Sequence, residues 1–189
     1  IGGGELNCAL GNISTIGGGR CNTASGQFSI VGSGYFNTAS ACNSAILSGR
    51  CNIASNSYAT ISGGALNIAS GSSSTIGGGR SNCSSGNCST IGGGLGNNAS
   101  GTYSSIIGGQ CNDTCGFANA MIVGSNLCAT QGCTTFTNCI SAQNLTAGCG
   151  VQVGANGVLI NTPTTPVLNN IFIIGSGVGS TERCGLSNC

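Results

Sequence analysis

The chain has 189 residues, of which 36 are glycine and 14 are cysteine, and only 4% are charged. A net charge of +1 leaves no basic patch that could neutralise many phosphates, so we expect no nucleic-acid partner. There is no histidine, and Glu5, Asp113 and Glu182 are the only carboxylates, so general acid–base chemistry lacks candidates and we expect no enzyme. The apolar runs are too short to predict membrane insertion.

A fifteen-residue repeat dominates the first two thirds of the chain. Written in rows of fifteen from Ile1, the sequence aligns without a gap through Ala120, and its consensus is I-G-G-G-x-x-N-x-A-S-G-x-x-S-T. We number the columns of these rows from 1 to 15. Column 4 is glycine in all eight rows, and a weaker ninth row starts at Met121. Because the chain opens inside the motif, we expect it to be part of a longer or processed protein.

This period predicts an all-β fold, a parallel β-roll or solenoid of fifteen-residue coils. Column 1 is β-branched in every full row, which favours a strand, and the glycines divide each row into two extended pieces. Alternation along a strand puts columns 14, 1 and 3 on one inward face and columns 7, 9 and 11 on the other. We expect about nine coils over residues 1–133. Residues 134–189 are expected to form a small C-terminal β element that caps the roll or joins neighbours.

Column 7 is asparagine in all eight rows. Inward asparagines can form a hydrogen-bonded ladder or hold the turn backbone, and either role is favoured over coordination of a cation or sugar. The predicted structural ladder consists of Asn7, Asn22, Asn37, Asn52, Asn67, Asn82, Asn97 and Asn112.

Two rows carry a resemblance to a known family. Residues 16–30 (IGGGRCNTASGQFSI) and 91–105 (IGGGLGNNASGTYSS) resemble the head repeats of YadA-like trimeric autotransporter adhesins. Similar arrays occur in phage tail fibres and in surface proteins of large DNA viruses. The resemblance covers residues 1 to about 133. It implies a left-handed roll, three chains side by side, and a role as a surface fibre or adhesin.

The cysteines occupy outward columns, and their spacing does not fit a metal site, so we expect neither metal nor cofactor. No base or cation is placed to activate a catalytic thiol. Disulfides remain, against the alternative that the thiols stay reduced. Few pairs within one roll are close enough, apart from Cys83 with Cys88 and some among Cys111, Cys115, Cys128 and Cys133, so many bridges are expected between chains. The disulfide candidates are Cys8, Cys21, Cys42, Cys51, Cys83, Cys88, Cys111, Cys115, Cys128, Cys133, Cys139, Cys149, Cys184 and Cys189.

Other outward positions are apolar or lie in glycosylation motifs. Columns 6 and 13 carry large apolar residues, which neighbouring chains would cover. Arg20, Arg50 and Arg80 share column 5, where a solvated edge or carboxylate partners are favoured over an anion site. Possible glycosylation sites are Asn12 and Asn87.

Together these features predict a structural fibre protein, a multi-chain, homotrimeric roll that disulfides stiffen. We expect it outside the cell, on a cell surface or a virion surface. The alternative is an adhesin head that binds a host glycan or matrix protein. Ice binding is disfavoured, because Ile30 and Ala45 interrupt the threonines of column 15.

Overall fold

The structure is a computed structural model that describes residues 1–138. It confirms the all-β parallel solenoid of fifteen-residue coils, with no helix among these residues. A short sheet contains β1 (Cys8–Ala9), β3 (Thr23–Ala24), β5 (Thr38–Ala39), β7 (Ile53–Ala54), β9 (Ile68–Ala69), β11 (Cys83–Ser84) and β13 (Asn98–Ala99). A long sheet contains β2 (Thr15–Ile16), β4 (Ile30–Val31), β6 (Ala45–Ile46), β8 (Thr60–Ile61), β10 (Thr75–Ile76), β12 (Thr90–Ile91), β14 (Ser105–Ile106), β15 (Met121–Val123) and β16 (Thr135–Thr137).

Each of the first seven coils contributes one strand to each sheet, and equal columns pair from coil to coil. In the long sheet Ile61 pairs with Ile76, and in the short sheet Ala54 pairs with Ala69. Column 5 makes a third parallel line of isolated bridges, from Glu5 to Gln110. A fifteen-residue period is therefore one complete turn of the chain around the core.

The core is a single file of column 1 side chains facing small residues. Ile16, Val31 and the column 1 isoleucines through Ile106 are fully buried, and so are the column 9 alanines from Ala24 to Ala99. The predicted buried line is correct with one exception. Ile1 is 65% exposed, because the first coil has a neighbouring coil on one side alone.

Column 3 does not face inward, contrary to the alternation argument. None of its residues is buried, and a Cβ added at Gly18 or Gly78 would meet no atom within 4 Å. The strand has already ended there, because the following column 4 glycine turns the chain with a positive φ, +82° at Gly79. A Cβ at Gly79 would also overlap the carbonyl oxygen of Gly94 in the next coil, so this column requires glycine on two grounds.

Columns 6 and 13 form two left-handed corners in nearly every coil. Leu66 has φ +59° and Tyr58 has φ +60°, values that cost an L-residue roughly 1–2 kcal/mol. The corner N–H groups donate to the preceding coil, as in Leu66 N–H to Arg50 O (3.0 Å) and Tyr58 N–H to Cys42 O (3.1 Å). The strand N–H groups donate to the following coil, as in Ile68 N–H to Asn82 O (2.8 Å). Corners and strands together thus bond each coil to both of its neighbours, and the hydrogen bonds of the corners offset their strain.

The regular period ends in the eighth coil. Ile106 pairs with Ile122, not with Met121, so one residue has been inserted and the ninth row starts one position later than the sequence alignment predicts. The long sheet continues past residue 133, since β16 pairs with β15 and Phe136 lies opposite Ile122. Beyond residue 138, the predicted C-terminal cap lies outside the described residues. The left-handed sense of the roll stays a prediction.

Candidate functional site: an inner asparagine ladder and an outer cysteine surface

The side chain of a column 7 asparagine forms hydrogen bonds to the backbone at three positions. Asn67 Oδ1 accepts the backbone N–H of Asn82 (3.0 Å) in the next coil. Asn67 Nδ2 donates to Gly63 O in its own coil (3.0 Å) and to Gly79 O in the next (3.0 Å). The side chain therefore replaces the hydrogen bonds that the sheets do not supply at this turn.

This pattern repeats along the stack, and it is chiefly side chain to backbone. The seven members from Asn22 to Asn112 are all buried, whereas Asn7 in the first coil is half-buried. Amide-to-amide bonds accompany the backbone bonds at Asn22, Asn37 and Asn82. In the ninth coil Leu127 takes the place of asparagine, and its N–H still donates to Asn112 Oδ1 (3.1 Å). Because both amide atoms are engaged inside the protein, the arrangement favours the structural role over ligand binding.

The cysteines lie on the outside of the coils. None of the ten described cysteines is buried. Eight of them are unpaired within residues 1–138, namely Cys8, Cys21, Cys42, Cys51, Cys83, Cys88, Cys111 and Cys133. The structure does not pair Cys83 with Cys88, since Cys83 lies in β11 of the short sheet and Cys88 lies at the corner before β12. The candidates Cys139, Cys149, Cys184 and Cys189 lie outside the described residues.

One disulfide joins Cys115 to Cys128, with their Cα atoms 6.4 Å apart. It connects the eighth and ninth coils at the point where the insertion breaks the repeat. Asp113 stabilises the backbone next to Cys115. Its Oδ1 accepts a hydrogen bond from the Cys115 N–H (2.6 Å), and its Oδ2 accepts one from the Asn98 side-chain amide (3.0 Å). The bridge thus holds together two coils that have lost the regular register.

The surroundings of the Cys83 thiol change its acidity. Partial burial raises its pKa, a hydrogen bond with Ser85 acts in the opposite direction, and the negative charge of Asp113 adds to the rise. A smaller thiolate fraction makes Cys83 a poorer nucleophile at neutral pH.

Large apolar side chains are exposed at both corners. Leu6 and Leu66 in column 6, and Tyr58 and Tyr103 in column 13, are among them, with Leu6 68% exposed. The sequence predicts these outward stripes but not their left-handed backbone. The positive φ explains their direction, because it turns the side chain away from the core between two strands.

The column 5 arginines differ in their partners. Arg20 Nε lies 3.2 Å from Glu5 Oε2 in the first coil. Arg50 and Arg80 have no carboxylate partner within residues 1–138. Between them, small Ala65 leaves a surface notch of about 290 Å³. This notch is lined by Arg50, Ala65, Leu66 and Arg80.

The glycosylation motifs divide according to exposure. Asn12 and Asn87 are exposed, whereas Asn82 and Asn112 belong to the buried ladder. In the described part of the chain no group of three or more histidine, cysteine or acidic residues could hold a metal ion. No helix in that part is long and apolar enough to span a bilayer.

Neither the comparison with known protein families nor the search of curated proteins finds a match for this chain.

Proposed function

We propose that this chain is a structural fibre protein of a cell or virus surface, in which several rolls, arranged as a homotrimer, are joined by disulfides. The proposal goes beyond the solenoid fold itself. Its support is the combination of a self-bonded backbone stack with an outer surface that is apolar and rich in thiols.

The observation that carries the proposal is the set of eight outward cysteines that have no disulfide partner within residues 1–138. Coils are about 4.8 Å apart, so two cysteines of one column in alternate coils are separated by about 10 Å. A disulfide needs Cα atoms about 4.4–6.8 Å apart. Cysteines that are too far apart to bond within the described roll remain available to bond to a neighbouring chain.

The exposed apolar corners support assembly independently. Side chains such as Leu6, Phe36 and Tyr103 stand out from a body with 4% charged residues, which as a monomer would be prone to aggregate. A roll this thin also buries little apolar surface, so neighbouring chains supply the missing burial. Along the axis of such a fibre, hydrogen bonds of the backbone and of the asparagine side chains join the coils. Across the fibre, contacts between outward side chains join the chains.

Electrophoresis of the native material tests the proposal. Thiols are blocked with iodoacetamide during extraction, and samples are compared with and without reductant. We expect covalent multimers that reductant converts to single chains, together with a lower melting temperature after reduction. Each bridge constrains the dissociated state by roughly 2–4 kcal/mol. Monomers in the unreduced sample with all thiols reactive would contradict the cross-linked fibre, and sedimentation would then test the non-covalent trimer.

An adhesin head is the second candidate, since the same fold can present a binding face. The exposed rings of Tyr58 and Tyr103, 61% and 63% accessible, are the side chains that could stack on a sugar. Binding to a glycan array or to matrix proteins, lost on changing both tyrosines to serine, would favour this role. Absence of binding by assembled material would leave the structural role alone.

A further inference from the structure

One exposed corner of the roll has a two-fold pattern in its sequence. Column 6 of the first five coils reads Leu6, Cys21, Phe36, Cys51 and Leu66, the same from either end. All five residues have a positive φ and none is buried, so the five side chains form one outward ridge. A surface that meets its own copy across a two-fold axis has to be self-complementary in this way.

We propose that two copies of this chain pack antiparallel along this ridge, with the two-fold axis at Phe36. Coil spacing is the same in both copies, so coil one faces coil five and coil two faces coil four. Leu6 then meets the partner's Leu66, and Cys21 meets the partner's Cys51. At the axis, the Phe36 ring contacts Tyr35 of its own chain edge-on, with centroids 4.5 Å apart.

The thiols give this arrangement two equivalent disulfides. Within one chain Cys21 and Cys51 lie two coils apart, about 10 Å, and cannot bond. Across the axis they are opposite each other. Each bridge forms by exchange with a small-molecule disulfide such as oxidised glutathione. Two thiols become one protein disulfide and the oxidant is reduced to two thiols, so that hydrogen atoms and electrons balance.

Column 5 supplies a second and independent match. The same operation places Glu5 opposite the partner's Ala65, at the notch between the partner's Arg50 and Arg80. Arg50 and Arg80, which line that notch, have no carboxylate partner within residues 1–138, and the Glu5 side chain is exposed. The same operation also brings two positive charges together, Arg20 and the partner's Arg50. The Glu5 carboxylate lies beside this pair, with Oε2 3.2 Å from Arg20 Nε.

This pairing is distinct from a parallel three-chain bundle, which would leave the ridge outward if its chains packed through the exposed apolar residues of column 13, such as Tyr58 and Tyr103. The antiparallel contact would then join one bundle to the next. The proposed fibre and this contact can therefore fail separately, and the experiment below separates them.

The test maps disulfides between chains. Full-length protein is produced with natural and with ¹⁵N isotopes, mixed unfolded and reduced, refolded with oxidised glutathione, digested and sequenced by mass spectrometry. We expect mixed-isotope peptides that link Cys21 to Cys51. Links from Cys21 to Cys21, or from Cys51 to Cys51, would indicate parallel pairing and overturn the proposal. Other interchain links without Cys21–Cys51 would also overturn it, while leaving the cross-linked fibre intact.

Serine variants sharpen the result. Cys21→Ser alone and Cys51→Ser alone should each lose both bridges, because every bridge needs one residue of each kind. Refolding the two variants together should recover a single bridge, between the Cys51 of one and the Cys21 of the other. Serine occupies this corner naturally at Ser81, so the variants should fold, and Cys88→Ser serves as the matched control. Failure of the mixture to recover the bridge would refute the antiparallel register.

Removing the negative charge of Glu5 tests whether Glu5 enters the partner's notch. Glu5→Gln should slow formation of the Cys21–Cys51 link by roughly three-fold or more, since complementary charges speed encounter, and added salt should reduce the difference. Asp113→Asn removes a carboxylate far from the ridge and should leave the rate of this link unchanged. Equal rates for Glu5→Gln and the unmodified protein would remove the notch from the interface.

Discussion

Replacing Asn67 by leucine tests whether the ladder holds the stack together. The Asn82 N–H would remain buried without its acceptor, and Gly63 O would lose its bond to the side chain. Gly79 O would keep the Ala65 N–H at 2.9 Å. Asn52 would keep its partner, because the Asn67 backbone N–H that it accepts is unchanged by the substitution.

The expected cost follows from these groups. A buried donor without a partner costs about 1–3 kcal/mol, and the lost bond to Gly63 adds about 1 kcal/mol. We therefore expect the free energy of unfolding to fall by about 2–4 kcal/mol. For a domain of this size that lowers the melting temperature by about 6–12 °C.

The assay is thermal unfolding followed by circular dichroism under reducing conditions, with hydrogen exchange to localise the effect. The Asn82 amide should lose protection before the rest of the stack. Asn87→Leu is the matched control, since Asn87 is exposed and accepts one bond of 3.2 Å from Ser72. Asn7→Leu should cost less than half as much as Asn67→Leu, because an end coil is already half-open. Unchanged melting and unchanged protection of Asn82 would refute the ladder as a source of stability.

Three further outcomes are expected. Gly79→Ala should destabilise the protein by about 2–4 kcal/mol, because alanine is strained at φ +82° and its Cβ overlaps the next coil. The control is Gly78→Ala, where the Cβ points into open space, and it should change the melting temperature little. Equal effects in the two variants would contradict this account. The Cys83 thiol has a raised pKa, so it should react with iodoacetamide more slowly than exposed Cys88 at pH 8, and its rate should keep rising at higher pH; faster labelling of Cys83 in peptide maps would be inconsistent. Ser74→Ala should stabilise the roll by about 0.5–1 kcal/mol in the same melts, because the buried Ser74 hydroxyl has no hydrogen-bond partner, and a loss of stability would indicate a missing partner.

The sequence by itself determined the architecture of the repeat. A gapless period of fifteen fixes the length of one turn, and the β-branched residue in column 1 marks the buried strand. The invariant asparagine marks a place where the backbone needs side-chain hydrogen bonds. Repetition makes such inferences strong, because Ile61 has six equivalents, from Ile16 to Ile106, that are buried in the same way.

Tertiary structure decided what alternation along a strand cannot describe. The strands of each regular coil are two residues long, so the period-two rule fails at column 3, where the glycine turn begins. The left-handed corners at residues such as Leu66 are sustained by hydrogen bonds from other coils, which no local sequence signal contains. The same holds for the extra residue before Ile122, whose register is set by pairing with Ile106 across the sheet. Pairing of Cys115 with Cys128 depends on that shift, because a disulfide forms between Cα atoms brought close in space, here 6.4 Å, whatever their spacing in the repeat.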